Sequence, residues 1–336
     1  MVFIVAVAVG TATAQATPPR ATPLFQFTAD DFWLNLHHFL YVLGMVEAKV
    51  PDATNPAMAG AAPDAERGLR TLDNEDRAAW IAAVHSYATG LSLRSNLDRA
   101  MVTVTRALAD VDDAPSLSGT MLDPAVVATL ERAAPIYRKG WWPSHLAANR
   151  TRRAELERLI AQYGVSTINY VSKIYGQTWP ATGYPVHMSG YSNFGGAYSV
   201  AGGPAFLVFS SMTDQNIGLH GFEIVVHEGM HQWDQAMFGT LTALARVRNV
   251  SVPRDLPHAM IFFTAGEAVR RLDPTYIPFA DAEGVWKFKL SGAALPAERL
   301  KPILEDLWKP YMDGRRTRDE ALAVIVQRAA TVTNGQ

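Results

Sequence analysis

The chain has 336 residues, 49% of them hydrophobic and 18% charged, with a formal net charge of -2 and no cysteine. That balance excludes a disordered chain and argues against nucleic acid or an anionic membrane surface as the main partner. Without cysteine no disulfide framework is possible, and zinc would have to be held by histidine and carboxylate alone.

At the start of the chain, Val2 to Val9 is an apolar run too short to span a bilayer, and Ala12-Thr13-Ala14 has the small-x-small form of a signal peptidase site. The expectation is an export signal over 1–14, lacking the usual positive n-region, then a flexible Pro-rich mature terminus over 15–27. That implies a periplasmic or secreted protein with no stable membrane insertion. From 28 to 180 the pattern is helical. Thr28-Ala29-Asp30-Asp31 offers a cap to an apolar helix ending near Gly44, in which His37 and His38 read as packing or surface residues. A polar loop is expected over 51–63, then helices over 74–91, 93–108, 123–134, 143–163 and 166–175, with Trp141-Trp142 as a packing anchor at a corner between helices.

Composition changes after Trp179-Pro180. Segments 184–188, 196–200 and 205–211 read as short strands between glycine-rich turns, the only β-rich part of the chain. A helix signalled by Thr213-Asp214-Gln215-Asn216 should run to about Phe238 and stop at Gly239; another covers 258–271, and amphipathic helices over 296–308 and 317–330 close the chain. The expected fold class is α+β, predominantly helical, with a small sheet in a catalytic region over 181–336 and a helical region before it.

The helix opened at Thr213 contains His227-Glu228-Gly229-Met230-His231, a His-Glu-x-x-His motif that chance would place in about one such chain in a hundred. Two histidines four apart lie on one helical face. Val226, Met230, Trp233 and Met237 form an apolar stripe, and Glu223, His227, His231 and Asp234 form a polar one. Ile224-Val225-Val226 implies burial on most sides, so the polar stripe needs a partner inside the protein, which a metal supplies. The plainer alternative is two core histidines bonded to backbone, with Glu228 in solvent.

Catalytic zinc takes three protein ligands and leaves a fourth position for water. The downstream candidates for the third are His258, Glu267, Asp273, Asp281 and Glu283. Glu267 is preferred because Phe262, Phe263, Ala265, Ala268 and Val269 imply burial of a carboxylate that coordination would relieve. Gly229 and Gly266 adjoin these ligands, which suggests close approach of the two helices.

Over 184–271 this arrangement resembles the gluzincins, the thermolysin-like zinc metallopeptidases with His-Glu-x-x-His on one helix and a Glu ligand on a later one. The resemblance implies Zn2+ held by His227, His231 and Glu267, Glu228 as general base and proton shuttle, and a peptide or protein substrate bound along an edge strand. Two positions depart from the pattern. Arg271 stands where an Asp would orient a histidine, leaving Glu223 or Asp234 for that task. His258 stands where an oxyanion-stabilising Tyr is found, with Tyr276 as the other candidate. The reading is therefore a zinc hydrolase, most simply a metalloprotease. The alternatives are a zinc amidase on a non-peptide substrate and a catalytically inactive zincin-like binding protein.

Overall fold

The structure is a computed structural model that describes residues 23–51, 55–111, 113–193, 196–200, 203–288, 290 and 297–333. The expected export signal over 1–14 lies outside these residues. The segment just after it carries one correction. Part of the stretch expected to be a flexible terminus forms strand β1 (Phe25–Thr28), because Phe25 is buried edge-on against Trp179, with ring centroids 5.2 Å apart.

Helix α1 (Phe32–Glu47) is apolar almost all round and buried from Phe32 to Met45, so it forms the centre of the N-terminal layer. Packed around it are α2 (Ala61–Leu69), α3 (Asn74–Ala88), α4 (Arg99–Ala109) and α5 (Pro124–Gly140). The start of α2 falls in the expected loop, where Pro63 sits in a first turn that tolerates it. Helix α4 begins six residues later than expected, because the Asp98 carboxylate accepts from the Ala100 N–H and fixes the start there. Trp141 turns the chain from α5 into α6 (Trp142–Leu159) and stacks on Trp80 at 4.3 Å, the corner anchor expected of it. A single π-helical turn, Ile160–Gly164, joins α6 to α7 (Val165–Tyr175).

Strands β2 (Tyr184–Ser189), β3 (Ala197–Val200) and β4 (Phe206–Ser210) complete a sheet of order β1-β2-β4-β3. The pairs β1–β2 and β2–β4 are parallel, and β3 runs antiparallel to β4 at the edge, with Ser199 opposite Leu207. Every residue of β4 is buried. Phe206 and Val208 join the core of the N-terminal layer, whereas Leu207 and Phe209 join the core on the other face. The period-2 alternation of a strand therefore places the sheet between two helical layers.

The second layer holds α8 (Gly218–Met230), α9 (Asp234–Val247), α10 (Leu256–Arg270), α11 (Phe279–Ala282), α12 (Lys301–Ile303), α13 (Lys309–Met312) and α14 (Arg318–Thr333). A π-helical turn, Leu304–Trp308, connects α12 to α13. The helix expected to stop at Gly239 is instead interrupted at His231–Trp233 by one 3-10 turn and runs on as α9. Gly239 is exposed with open space around it, and its cost of about 1 kcal/mol is too small to end a helix packed along its other face. Among the described residues, no helix is long and apolar enough to cross a membrane.

Candidate metal centre

Helix α8 is buried on all sides from Gly221 to Met230, so its polar residues must find partners within the protein. His227 projects from its last turn, His231 from the 3-10 turn that follows, and His258 from the first turn of α10, which packs along α8. One ring nitrogen from each of the three histidines falls in a group whose members all lie within 4.8 Å of one another. The Nε2 atoms of His227 and His258 are 3.2 Å apart. Two imidazole nitrogens so close repel each other unless one carries a proton or both share a cation. His227 is fully buried, while His231 and His258 are half-buried, so the centre opens to solvent on their side.

The surroundings orient these rings. Asp234 Oδ2 lies 2.7 Å from His231 Nδ1, which leaves His231 Nε2 as that ring's free donor to the centre. Phe262, one turn along α10 from His258, stacks on the His258 ring at 4.8 Å and lies against His227 at 3.9 Å, forming an apolar wall. Burial, then the neighbouring His231 and His258, holds His227 well below the usual histidine range; burial, then His231, does the same to His258. Both rings are thus held toward the neutral form. For His231 burial also acts downward, but the hydrogen bond to Asp234 and the Glu228 and Asp234 charges outweigh it, and the net shift is upward.

Glu228 stands beside the nitrogen cluster without belonging to it. Its Oε1 is 4.0 Å from His227 Nε2, and its Oε2 is 3.9 Å from His231 Nε2. From β3 the Ser199 hydroxyl reaches both Glu228 Oε2, at 2.8 Å, and the Glu228 carbonyl oxygen, at 2.6 Å. Burial pushes the Glu228 carboxyl up, against the lowering effects of His231 and the Ser199 hydrogen bond. One turn earlier, the buried Glu223 accepts from the Tyr276 hydroxyl at 2.6 Å and the Phe279 N–H at 3.0 Å. Burial pushes Glu223 up to about 7 in spite of these bonds.

Several residues chosen from the sequence are placed differently. Glu267, expected as the third ligand, is buried, but its carboxylate pairs with Arg270 on one side and Lys309 on the other. The reason is helical phase. Positions 258 and 267 are nine apart, about 900°, so an unbroken α10 turns them to opposite faces and only one can meet α8. That one is His258. Tyr276, the second oxyanion candidate, donates to Glu223 and is not part of the histidine cluster. Asp273 accepts from Thr275, and Asp281 accepts from Trp286 and Lys301. The two glycines differ. A Cβ on Gly229 would lie 2.4 Å from the Trp179 ring, a loop side chain and not the facing helix, whereas one on Gly266 would lie 2.6 Å from Pro278 and 3.4 Å from Glu223 Oε1 on α8, so that glycine clears space for a loop residue and for the facing helix. His37 and His38 are buried packing residues, bonded to Tyr87 and to Leu34 and Tyr198.

Of the two orienting candidates, Asp234 makes the contact to a histidine. Ser199 and Phe262 went unremarked as site residues. The signal for Phe262 was its place one turn beyond His258, whereas nothing local to β3 marks Ser199. No family model, curated protein or solved structure matches the chain.

Proposed function

We propose that the chain is a zinc-dependent hydrolase in which His227, His231 and His258 hold the ion and Glu228 is the general base, with a peptide as substrate. The observation that carries this reading is the convergence of three imidazole nitrogens within 4.8 Å, with the Glu228 carboxylate about 4 Å from two of them, Oε1 from His227 and the Ser199-bonded Oε2 from His231. Three imidazole nitrogen donors suit zinc, and three protein ligands leave a position open, as catalytic sites do and structural ones do not. When bound, zinc supplies Lewis acidity and lowers the pKa of water to about 7. Everything else falls to the chain. Glu228 lies too far from the ring nitrogens to bond them directly yet within one water of them, which suits it to accept a proton and return it to the leaving nitrogen.

A peptide substrate is favoured by β3, which is one of the two edge strands of the described sheet, β1 being the other, and carries Ser199 onto Glu228. An extended chain pairing with that edge would pass beside the general base. Export, proposed from Ala12-Thr13-Ala14, would place this activity outside the cytoplasm. The reading is tested by metal analysis of the purified protein together with hydrolysis of a mixed peptide library by the parent chain and by Glu228→Gln. The variant should keep its zinc and lose at least about a hundredfold in turnover. Equal turnover in both would remove Glu228 from the mechanism.

A further inference from the structure

A general base that stands about 4 Å from two metal-binding nitrogens has a competing fate: it can swing in and become a ligand. Helix α8 fixes the Cα of Glu228 but not the direction of its carboxylate, which lies 3.9 Å from His231 Nε2 and 4.0 Å from His227 Nε2. We propose that Ser199 is the positioning residue that holds the Glu228 carboxylate out of the metal's coordination sphere and aimed at the water site. This inference rests on the hydrolase reading for its meaning in catalysis.

The geometry is particular to this hydroxyl. Ser199 Oγ lies within hydrogen-bond reach of two acceptors on Glu228, the carbonyl oxygen at 2.6 Å and Oε2 at 2.8 Å, and its one proton is shared between them, linking the carboxylate to the helix that bears it. With Oε2 tied down on β3, Oε1 is the oxygen left for the reacting water. The strand itself is held from behind. Alternation turns Tyr198 to the opposite face, where its hydroxyl is bonded to the buried His38 Nε2 at 2.7 Å and lies 3.3 Å from Thr105 Oγ1. On the open end of β3, the Arg106 guanidinium reaches the carbonyls of Val200 and Pro204. Ser199 is thus a short donor on a strand fixed by the N-terminal layer, a better reference point than a side chain on a loop.

The Ser199→Thr and Ser199→Val pair isolates the hydroxyl, since the two side chains share a shape and both suit a strand. Both variants are expected to bind one equivalent of zinc and to melt near the parent chain. Ser199→Thr should keep turnover within about fivefold, while Ser199→Val should lose on the order of a hundredfold in kcat with little change in KM, the penalty for a misplaced catalytic group. Crystal structures of the three zinc-loaded proteins supply a second readout that needs no turnover: Glu228 should occupy one conformation in the parent chain and Ser199→Thr, and move toward the histidines in Ser199→Val. Unaltered turnover together with an unmoved Glu228 in Ser199→Val overturns the proposal. If the parent chain hydrolyses nothing, the hydrolase reading fails by itself, and the position of Glu228 still decides the role of Ser199. If the branched variants do not fold, Ser199→Ala against the parent chain gives both readouts.

Discussion

Replacing His258 by alanine separates the two candidate third ligands, because Glu267, nine residues on, faces the other way. Zinc bound with folding in small domains is worth about 10–16 kcal/mol for a complete ligand set. Such structural sites use four protein ligands, so each is worth about 2.5–4 kcal/mol, and with 1.4 kcal/mol per tenfold His258→Ala should weaken zinc binding by about two to three orders of magnitude. Glu267→Ala removes a carboxylate that neutralises Arg270 and Lys309, whose side chains are 36% and 38% exposed and can turn to water. Its cost should therefore fall on folding, at about 1–2 kcal/mol, below the penalty for stranding a fully buried charge. Competition with a chromogenic chelator measures the first quantity and urea unfolding the second. Full zinc affinity in His258→Ala, with loss in Glu267→Ala, would refute the assignment and return the site to the pattern expected from the sequence.

Asp234→Asn should lower zinc affinity about 10- to 100-fold while leaving the fold intact, since the carboxylate touches the metal site only through His231 Nδ1; unchanged affinity would show that the ring needs no orienting partner. Glu223 titrates near 7 in the folded protein against 4.5 as its ordinary value, so the native state holds its proton more tightly than the unfolded chain. The resulting stability is fully present below about pH 4.5 and is lost as pH rises through 7, on the order of 3 kcal/mol in all. Glu223→Gln should accordingly flatten the fall in unfolding free energy between pH 5 and pH 8, and equal slopes in the two proteins would discard the argument. Gly229→Ala forces a methyl to within 2.4 Å of the Trp179 ring and should destabilise by about 1–3 kcal/mol, whereas Gly239→Ala, with open space around it, should stabilise by up to about 1 kcal/mol. Melting temperatures that move the same way in both would contradict the packing described.

The His-Glu-x-x-His helix and the three strands before it were legible in the sequence because their signals are local: a 3.6 period in one, alternation and glycine turns in the others. The third histidine of the cluster was not, for an identifiable reason. The apolar neighbours of Glu267 do indicate its burial, but a buried carboxylate is relieved by cationic side chains as well as by a metal. Arg270 stands three residues further along the same helix and was visible, whereas Lys309 arrives from 42 residues away through a helical run that no local pattern positions. The phase argument that separates 258 from 267 was also available, and it says that one of them must face away; which one depends on the side of α10 that packs on α8, a tertiary fact. Strand β1 escaped notice because four residues of alternation beside a Pro-rich segment carry little weight until a parallel partner is supplied from residue 184 onward.

The role of the N-terminal half follows from the sheet and not from its own chemistry. Several of its buried polar residues hold strands. Asn35 bonds the Met188 carbonyl and the Gly190 N–H, Asp31 pairs with His187, and His38 bonds the Tyr198 hydroxyl. Each of these bonds ends on β2 or β3 or on the residue that follows β2, and β3 presents Ser199 to Glu228 from its other face. Because consecutive strand residues point to opposite sides, a displacement of Tyr198 by the helical layer is passed to Ser199 with no intervening side chain. On the proposed reading, the layer that carries none of the three clustered histidines would set where the Glu228 carboxylate points, acting through β3.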